Sequence, residues 1–291
     1  MTNRKKSILG FIFALGVLSS CEEWRIEKSV PKAEDLIIVN TTLNPSDSVI
    51  KVYVGRGSTN YKKVELADQL FNKDASVTLI SGTKKQKLLF SKRTNFYEIK
   101  SSVFPILEGQ SYSIEVVVGD KKAIAECTIP KKVEQPTLNC IEKEGIVTAT
   151  VSWKSSEAFQ SYKLKANSLF FSGITPVAAF GTWDFEQIDL INASSVGQTF
   201  KQTTIITPTS ERNYAGFIEI VCEISAYDKN AINFYNTTKS NSDVPKSSTD
   251  FFEKFTSPAI RYTNIKGGLG IMAAVNNTII VKKVLLTKKP A

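Results

Sequence analysis

The chain has no histidine, and it carries few cysteines (four), tryptophans (three) and methionines (two) among its 291 residues. The missing histidine excludes the Ser-His-Asp and Cys-His nucleophile systems and the common zinc ligand sets built on imidazole. Hydrolysis by a pair of carboxylates needs no histidine and stays open. Long apolar runs are lacking as well. The longest, residues 8–18 (ILGFIFALGVL), falls short of the roughly 20 residues a membrane helix needs. Acids are outnumbered, 28 against 37 Lys and Arg, for a formal charge of +9. The excess is scattered in pairs such as Lys62-Lys63, Lys84-Lys85, Lys121-Lys122 and Lys282-Lys283, which read as solvated strand ends and turns. Such scatter leaves no concentrated basic face for a nucleic-acid partner.

What is present starts at the amino terminus. Arg4, Lys5 and Lys6 precede the apolar run, and Leu18-Ser19-Ser20-Cys21 follows it. Basic residues, a short apolar core and small residues before a cysteine form a signal peptide over residues 1–20 with a lipobox, cleaved between Ser20 and Cys21. The Cys21 thiol then takes a diacylglyceryl group. Each buried methylene contributes about 0.8 kcal/mol, so two or more acyl chains hold the protein stably while the rest stays outside the bilayer. Loss of the three basic residues lowers the formal charge from +9 to about +6. Glu22 and Glu23 come next, and acids in this place resemble the surface-export signal of Bacteroidota lipoproteins. The expected address is the outer membrane, on the cell surface rather than the periplasmic face.

Residues 21–35 are charged, contain Pro31 and read as a tether. From residue 36 the pattern is β. LIIVNTTL (36–43) and VIKVYVG (49–55) flank an Asn-Pro-Ser-Asp turn, and ASVTLIS (75–81), KQKLLFS (85–91) and FYEIKSS (96–102) follow. Gly109 three residues before Tyr112, at a strand start, resembles the tyrosine corner of immunoglobulin-like sandwiches, where the phenol bonds back to upstream backbone. These signals predict an immunoglobulin-like β-sandwich over residues 36–130. A second β-rich, sandwich-like domain is expected over 131–291, with strands at 146–153, 161–171, 199–207 and 215–228 and a final strand at 278–286. A short helix is expected over 228–240, capped by Asp228.

Three cysteines remain once Cys21 is lipidated, and an oxidising envelope permits a bridge. Cys140 and Cys222, both on expected strands of the second domain, are the expected pair; three separate thiols are the alternative. Trp183, Asp184, Phe185 and Glu186 are the most site-like cluster, since aromatic faces stack on sugars and carboxylates accept hydroxyl hydrogen bonds. Their other role is to plug a sandwich end. Phe170-Phe171 and Phe251-Phe252 read as core or interface anchors. Gly267, Gly268 and Gly270 read as a tight turn. No cofactor or metal is expected.

The layout resembles the Bacteroidota lipoprotein family classed as domain of unknown function forty-two forty-nine. The carriers are the lipobox with its acids, LIIVNTTL, ASVTL, Glu108-Gly109 with Tyr112-Ser113-Ile114, Ala125 with Ile129-Pro130, and Asn264-Ile265-Lys266-Gly267-Gly268-Leu269-Gly270-Ile271. Met272 stands where family members commonly carry an aromatic. The resemblance implies a sandwich followed by a second β-rich domain at the outer membrane, and a TonB-dependent transporter as partner. The expected function is therefore a non-enzymatic, lipid-anchored accessory or binding protein that serves such a transporter or its cargo. A surface adhesin or structural protein is the first alternative and a carboxylate-dependent hydrolase the second.

Overall fold

Apolar residues at alternate positions produce sixteen strands and one helix among the residues that the computed structural model describes. These are residues 36–56, 71–172, 175–183, 191–206, 216–242 and 262–286, with the backbone alone for 172, 175–183 and 238–242. The first half of the chain contributes β1 (Ile37–Leu43), β2 (Val49–Arg56), β3 (Ser76–Ser81), β4 (Lys84–Lys87), β5 (Leu89–Ser91), β6 (Phe96–Lys100), β7 (Ser111–Val118) and β8 (Lys121–Thr128). The second half contributes β9 (Glu134–Lys143), β10 (Ile146–Lys154), β11 (Ser161–Ser172), β12 (Thr175–Trp183), β13 (Ile191–Asn192), β14 (Thr199–Ile206) and β15 (Gly216–Tyr227). Helix α1 (Lys229–Ser242) and the long β16 (Gly268–Leu286) close the described chain.

One nine-stranded sheet runs through both halves in the order β12-β11-β15-β16-β1-β2-β6-β5, with β13 beside β11. A four-stranded sheet, β4-β3-β7-β8, packs over one part of it and a three-stranded sheet, β14-β10-β9, over the other. The protein is thus mainly β and sandwich-like, as its alternating segments predict. Two separate cores result. The first gathers Val39, Val52, Leu79, Leu88, Tyr97, Tyr112, Ile114 and Ile129. The second gathers Trp153, Tyr162, Leu164, Phe170, Ile218, Ile220 and Ile224. Each such aliphatic side chain, fully buried, contributes about 1.5–3 kcal/mol.

Tyrosines fix the corners of the first core. The Tyr112 hydroxyl accepts from the Leu107 N–H (2.8 Å) and donates to the Pro105 carbonyl (3.1 Å), which is the tyrosine corner its spacing predicts. Tyr97 does the same for another crossing, accepting from the Ala75 N–H and donating to the Asn72 carbonyl, both at 2.8 Å. In the second core Trp153 stacks on Phe200 (5.4 Å between centroids) and meets the edge of Tyr162 (6.1 Å).

β9 and β12 lie where the sequence pattern predicts no strand, and two further departures bear on the architecture. KQKLLFS is two strands rather than one. At buried Leu88 the chain leaves the four-stranded sheet, where β4 pairs β3, and enters the nine-stranded sheet, where β5 pairs β6. The final strand begins at Gly268 rather than residue 278. Its first part pairs parallel with β1, from Ile37↔Gly268 to Leu43↔Ala274. Its second part pairs antiparallel with β15, from Tyr227↔Val275 to Gly216↔Leu286. Ile265, Met272 and Ala274 consequently pack in the first core and Val284 in the second. The sequence boundary at 130/131 therefore leaves a piece of the first core at the far end of the chain.

The junction between the cores is bolted. The buried Asn276 amide donates to the Pro130 carbonyl (2.8 Å), and the Gln160 amide donates to the Lys131 carbonyl (3.0 Å). All described residues belong to one compact unit, Ala33–Ala291.

Candidate functional site

A cleft of about 820 Å³ opens along the β8 edge. Its floor is the exposed face of β7 and β8, with Ser111, Ser113, Glu115, Lys122, Ile124, Glu126 and Thr128. Its wall is the segment Tyr262 to Lys266 and the first turn of α1, including Lys229 and Asn230. Two backbone bonds seat the wall: Ile124 N–H to Lys266 O (2.9 Å) and Lys266 N–H to Ile124 O (2.8 Å).

Asn264 locks the wall to the long strand. Its side-chain oxygen accepts from the Met272 N–H (2.9 Å), and its amide donates to Met272 O (2.8 Å) and Glu126 O (3.1 Å). Asn230, from α1, donates to the same two carbonyls and accepts from the Tyr262 hydroxyl at 2.8 Å. Gly267 follows with φ +82°, and a side chain there would strike the Lys122 carbonyl. Gly267 is thus the turn expected for it. Gly268 and Gly270 are not: both lie in β16, pressed against β1. Gly270 has φ +108°, and a Cβ on it would collide with the Val39 carbonyl. Close parallel pairing, not chain reversal, is what requires glycine at these two positions.

Asp228 is the expected helix cap, accepting from the Ala231 N–H at 2.8 Å. It is 8 % exposed, and burial, countered by backbone hydrogen bonds from Ala231 and Ala274, pushes its carboxyl up to about 6. Glu115 differs: Lys122 at 2.6 Å holds it below the usual carboxylate range. Cys127 also borders the cleft, but burial drives its thiol far up, so it is protonated and a poor nucleophile at neutral pH. The Ser111 and Thr128 hydroxyls bond each other at 2.8 Å. The cleft thus combines hydroxyls, two exposed carboxylates, three lysines and one tyrosine, a set suited to hydrogen bonding with a polar ligand.

The residues singled out in the sequence are not brought together there. Ser20, Cys21, Glu22, Glu23, Asp184, Phe185, Glu186, Phe251 and Phe252 lie outside the described residues. Trp183 ends β12, with its backbone opposite Ala166. Phe170 is buried in the second core, and Phe171 stacks on Phe217 with centroids 4.8 Å apart. Cys140 and Cys222, expected to pair, are free thiols, as is Cys127. Cys140 lies on β9 and Cys222 on β15, in facing sheets. Burial pushes the Cys222 thiol up to about 11, with Cys140 adding to the shift.

Residues 24–279 match the family model described as Domain of unknown function (DUF4249). The chain belongs to this family. No curated protein matches it. Among solved structures, a chain titled as a cytokine receptor complex is similar, at 13 % identity and TM-score 0.26, over 66 % of this chain and 85 % of that one. An overlay that loose carries nothing about function. Along residues 264–271 the geometry explains the asparagine and the glycines structurally: Asn264 and Gly267 seat a wall, and Gly268 and Gly270 let β16 pair with β1 inside the nine-stranded sheet.

The sequence carries no local signal for the cleft. Asn230 and Asn264 stand far apart in sequence, in stretches that are not apolar, and each ends up bonding backbone. Only the fold shows that they meet.

Proposed function

We propose that this DUF4249 protein is a lipid-anchored binding protein of the bacterial outer membrane, held by acyl chains on Cys21 and facing outward. It presents the β8 cleft to a polar ligand or partner surface. The observation that carries the reading is the cleft itself, a polar recess of about 820 Å³ built on two bolted cores. A recess walled by Asn264 and Asn230 keeps its shape before a ligand arrives, which lowers the ordering cost of binding. Two of the cleft's three acids are engaged within the fold, Glu115 by Lys122 and Asp228 by the start of α1.

The partner implied is a TonB-dependent transporter, with the cleft facing the transporter or its cargo. Two measurements test this. Cells fed labelled palmitate should label the native chain and not Cys21→Ser. Mild solubilisation at native expression should recover a β-barrel partner with the native chain, and Asn264→Ala or Lys229→Glu should weaken the recovery. Recovery of the anchored chain with no barrel partner contradicts the transporter reading.

A further inference from the structure

Beyond the cleft, and independently of it, we infer that the second part of β16, residues 275–286, is a docking edge for an extended acidic segment of a partner polypeptide. The backbone shows which groups are free. The Ala274 carbonyl accepts from the Asp228 N–H, and the β15–β16 ladder runs from there without a register shift. Even-numbered residues of β16 therefore bond β15. The N–H and C=O groups of residues 275, 277, 279, 281, 283 and 285 point the other way. β1 occupies that side only as far as Ala274, and no described residue pairs with the edge beyond it.

The side chains make the edge unusual. Ile279 is 60 %, Val281 52 % and Leu285 78 % exposed. A long apolar edge open to water recruits strands, and sandwiches normally cover or blunt it. Here the device present is charge. Lys282 and Lys283 are consecutive, so they project to opposite faces of any strand added there. Lys283 reaches Glu219 at 3.5 Å, while no described carboxylate pairs with Lys282. A second copy of this chain would press its own lysines into the same seam and bury the inward-directed stem of Lys282. A strand with two consecutive acids opposite these lysines meets both faces with opposite charge, which is the favourable cross-strand pairing. The edge thus suits backbone addition by a segment alternating apolar residues around an acidic pair.

The test uses the full lipidated chain in detergent micelles. The probe is a capped twelve-residue peptide of alternating valine and threonine with a central Asp-Glu pair; its control carries Lys-Lys instead. Amide hydrogen exchange is followed residue by residue, and affinity by fluorescence anisotropy. The acidic probe should slow exchange at the odd-numbered amides of 275–285 at least tenfold, and the basic control should not. Val281→Pro, which removes an outward N–H, should weaken binding at least tenfold. The double variant Lys282→Glu/Lys283→Glu should reverse the preference between probes, which keeps the test decisive if the proline variant misfolds. Equal protection by both probes, protection by neither, or odd amides already protected in the free chain would each overturn the inference. So would a dimer in sedimentation that Val281→Pro dissolves, because the occupant would then be a second copy.

Discussion

The two parts of β16 share one backbone and are finished in opposite ways. The first part, residues 268–274, is enclosed. β1 pairs along one side, and Asn264 and Asn230 cover the Met272 backbone on the other. Its glycines let neighbouring backbone come close. The second part, residues 275–286, is paired on one side by β15 and open on the other, with aliphatic side chains and two lysines in water. The contrast teaches that a strand can be a structural tie over half its length and a recognition edge over the rest. The tie also explains how a four-stranded and a three-stranded sheet come to be backed by one continuous sheet.

The comparison breaks most severely at Gly270. Gly270→Val forces a branched side chain onto φ +108° against the Val39 carbonyl. We expect a loss of about 3 kcal/mol or more, read as a large drop in Tm by calorimetry. The next effect is electrostatic. Burial penalises the charged form of Asp228, whose carboxyl is raised from 3.8 to about 6. The folded state therefore binds the proton more tightly than the unfolded chain. From this group, stability rises as pH falls from about 6 toward 3.8, and is lost as pH rises through 6. The span is roughly 2–3 kcal/mol for a shift of this size. Asp228→Asn keeps a capping oxygen and should flatten that pH dependence, raising stability at pH 7.5 more than at pH 4.5 in urea titrations.

These residues also show how legible the fold was. Tyr112 and Asp228 were readable because each acts on backbone a few positions away, and short-range spacing carries that information. The split of KQKLLFS was not readable: its apolar pattern is continuous, and only the packing of Leu88 in the first core decides where it changes sheets. β16 was hidden for a different reason. Three glycines in four residues are what a turn requires, and the partner that makes them a strand is β1, at the opposite end of the chain. The cleft was hidden likewise, since its floor and wall come from residues far apart in sequence. The Trp183–Glu186 cluster stands out by residue type alone, which says nothing of what the fold places beside it.

Smaller effects sharpen the contrast. Tyr112→Phe leaves the Leu107 N–H without its acceptor and should cost about 1–3 kcal/mol in chemical unfolding, by stranding a partly buried donor. At the open part of β16, proline should be tolerated according to parity. Val281→Pro removes an N–H directed away from β15 and should cost less than about 1 kcal/mol. Ile280→Pro removes a ladder bond and should cost about 3 kcal/mol or more. Equal penalties at the two positions would mean that the outward side of β16 is already paired.

The central claim is that β16 makes the two cores one folding unit. Residues 33–132 prepared alone contain the whole predicted first domain but lack Ile265, Met272 and Ala274. Their unfolding in urea, followed by tyrosine fluorescence and circular dichroism, tests the claim directly. The account predicts no cooperative transition for the fragment alone, and its appearance when a peptide of residues 262–275 is added. A sharp two-state transition in the fragment by itself, unchanged by the peptide, would contradict it.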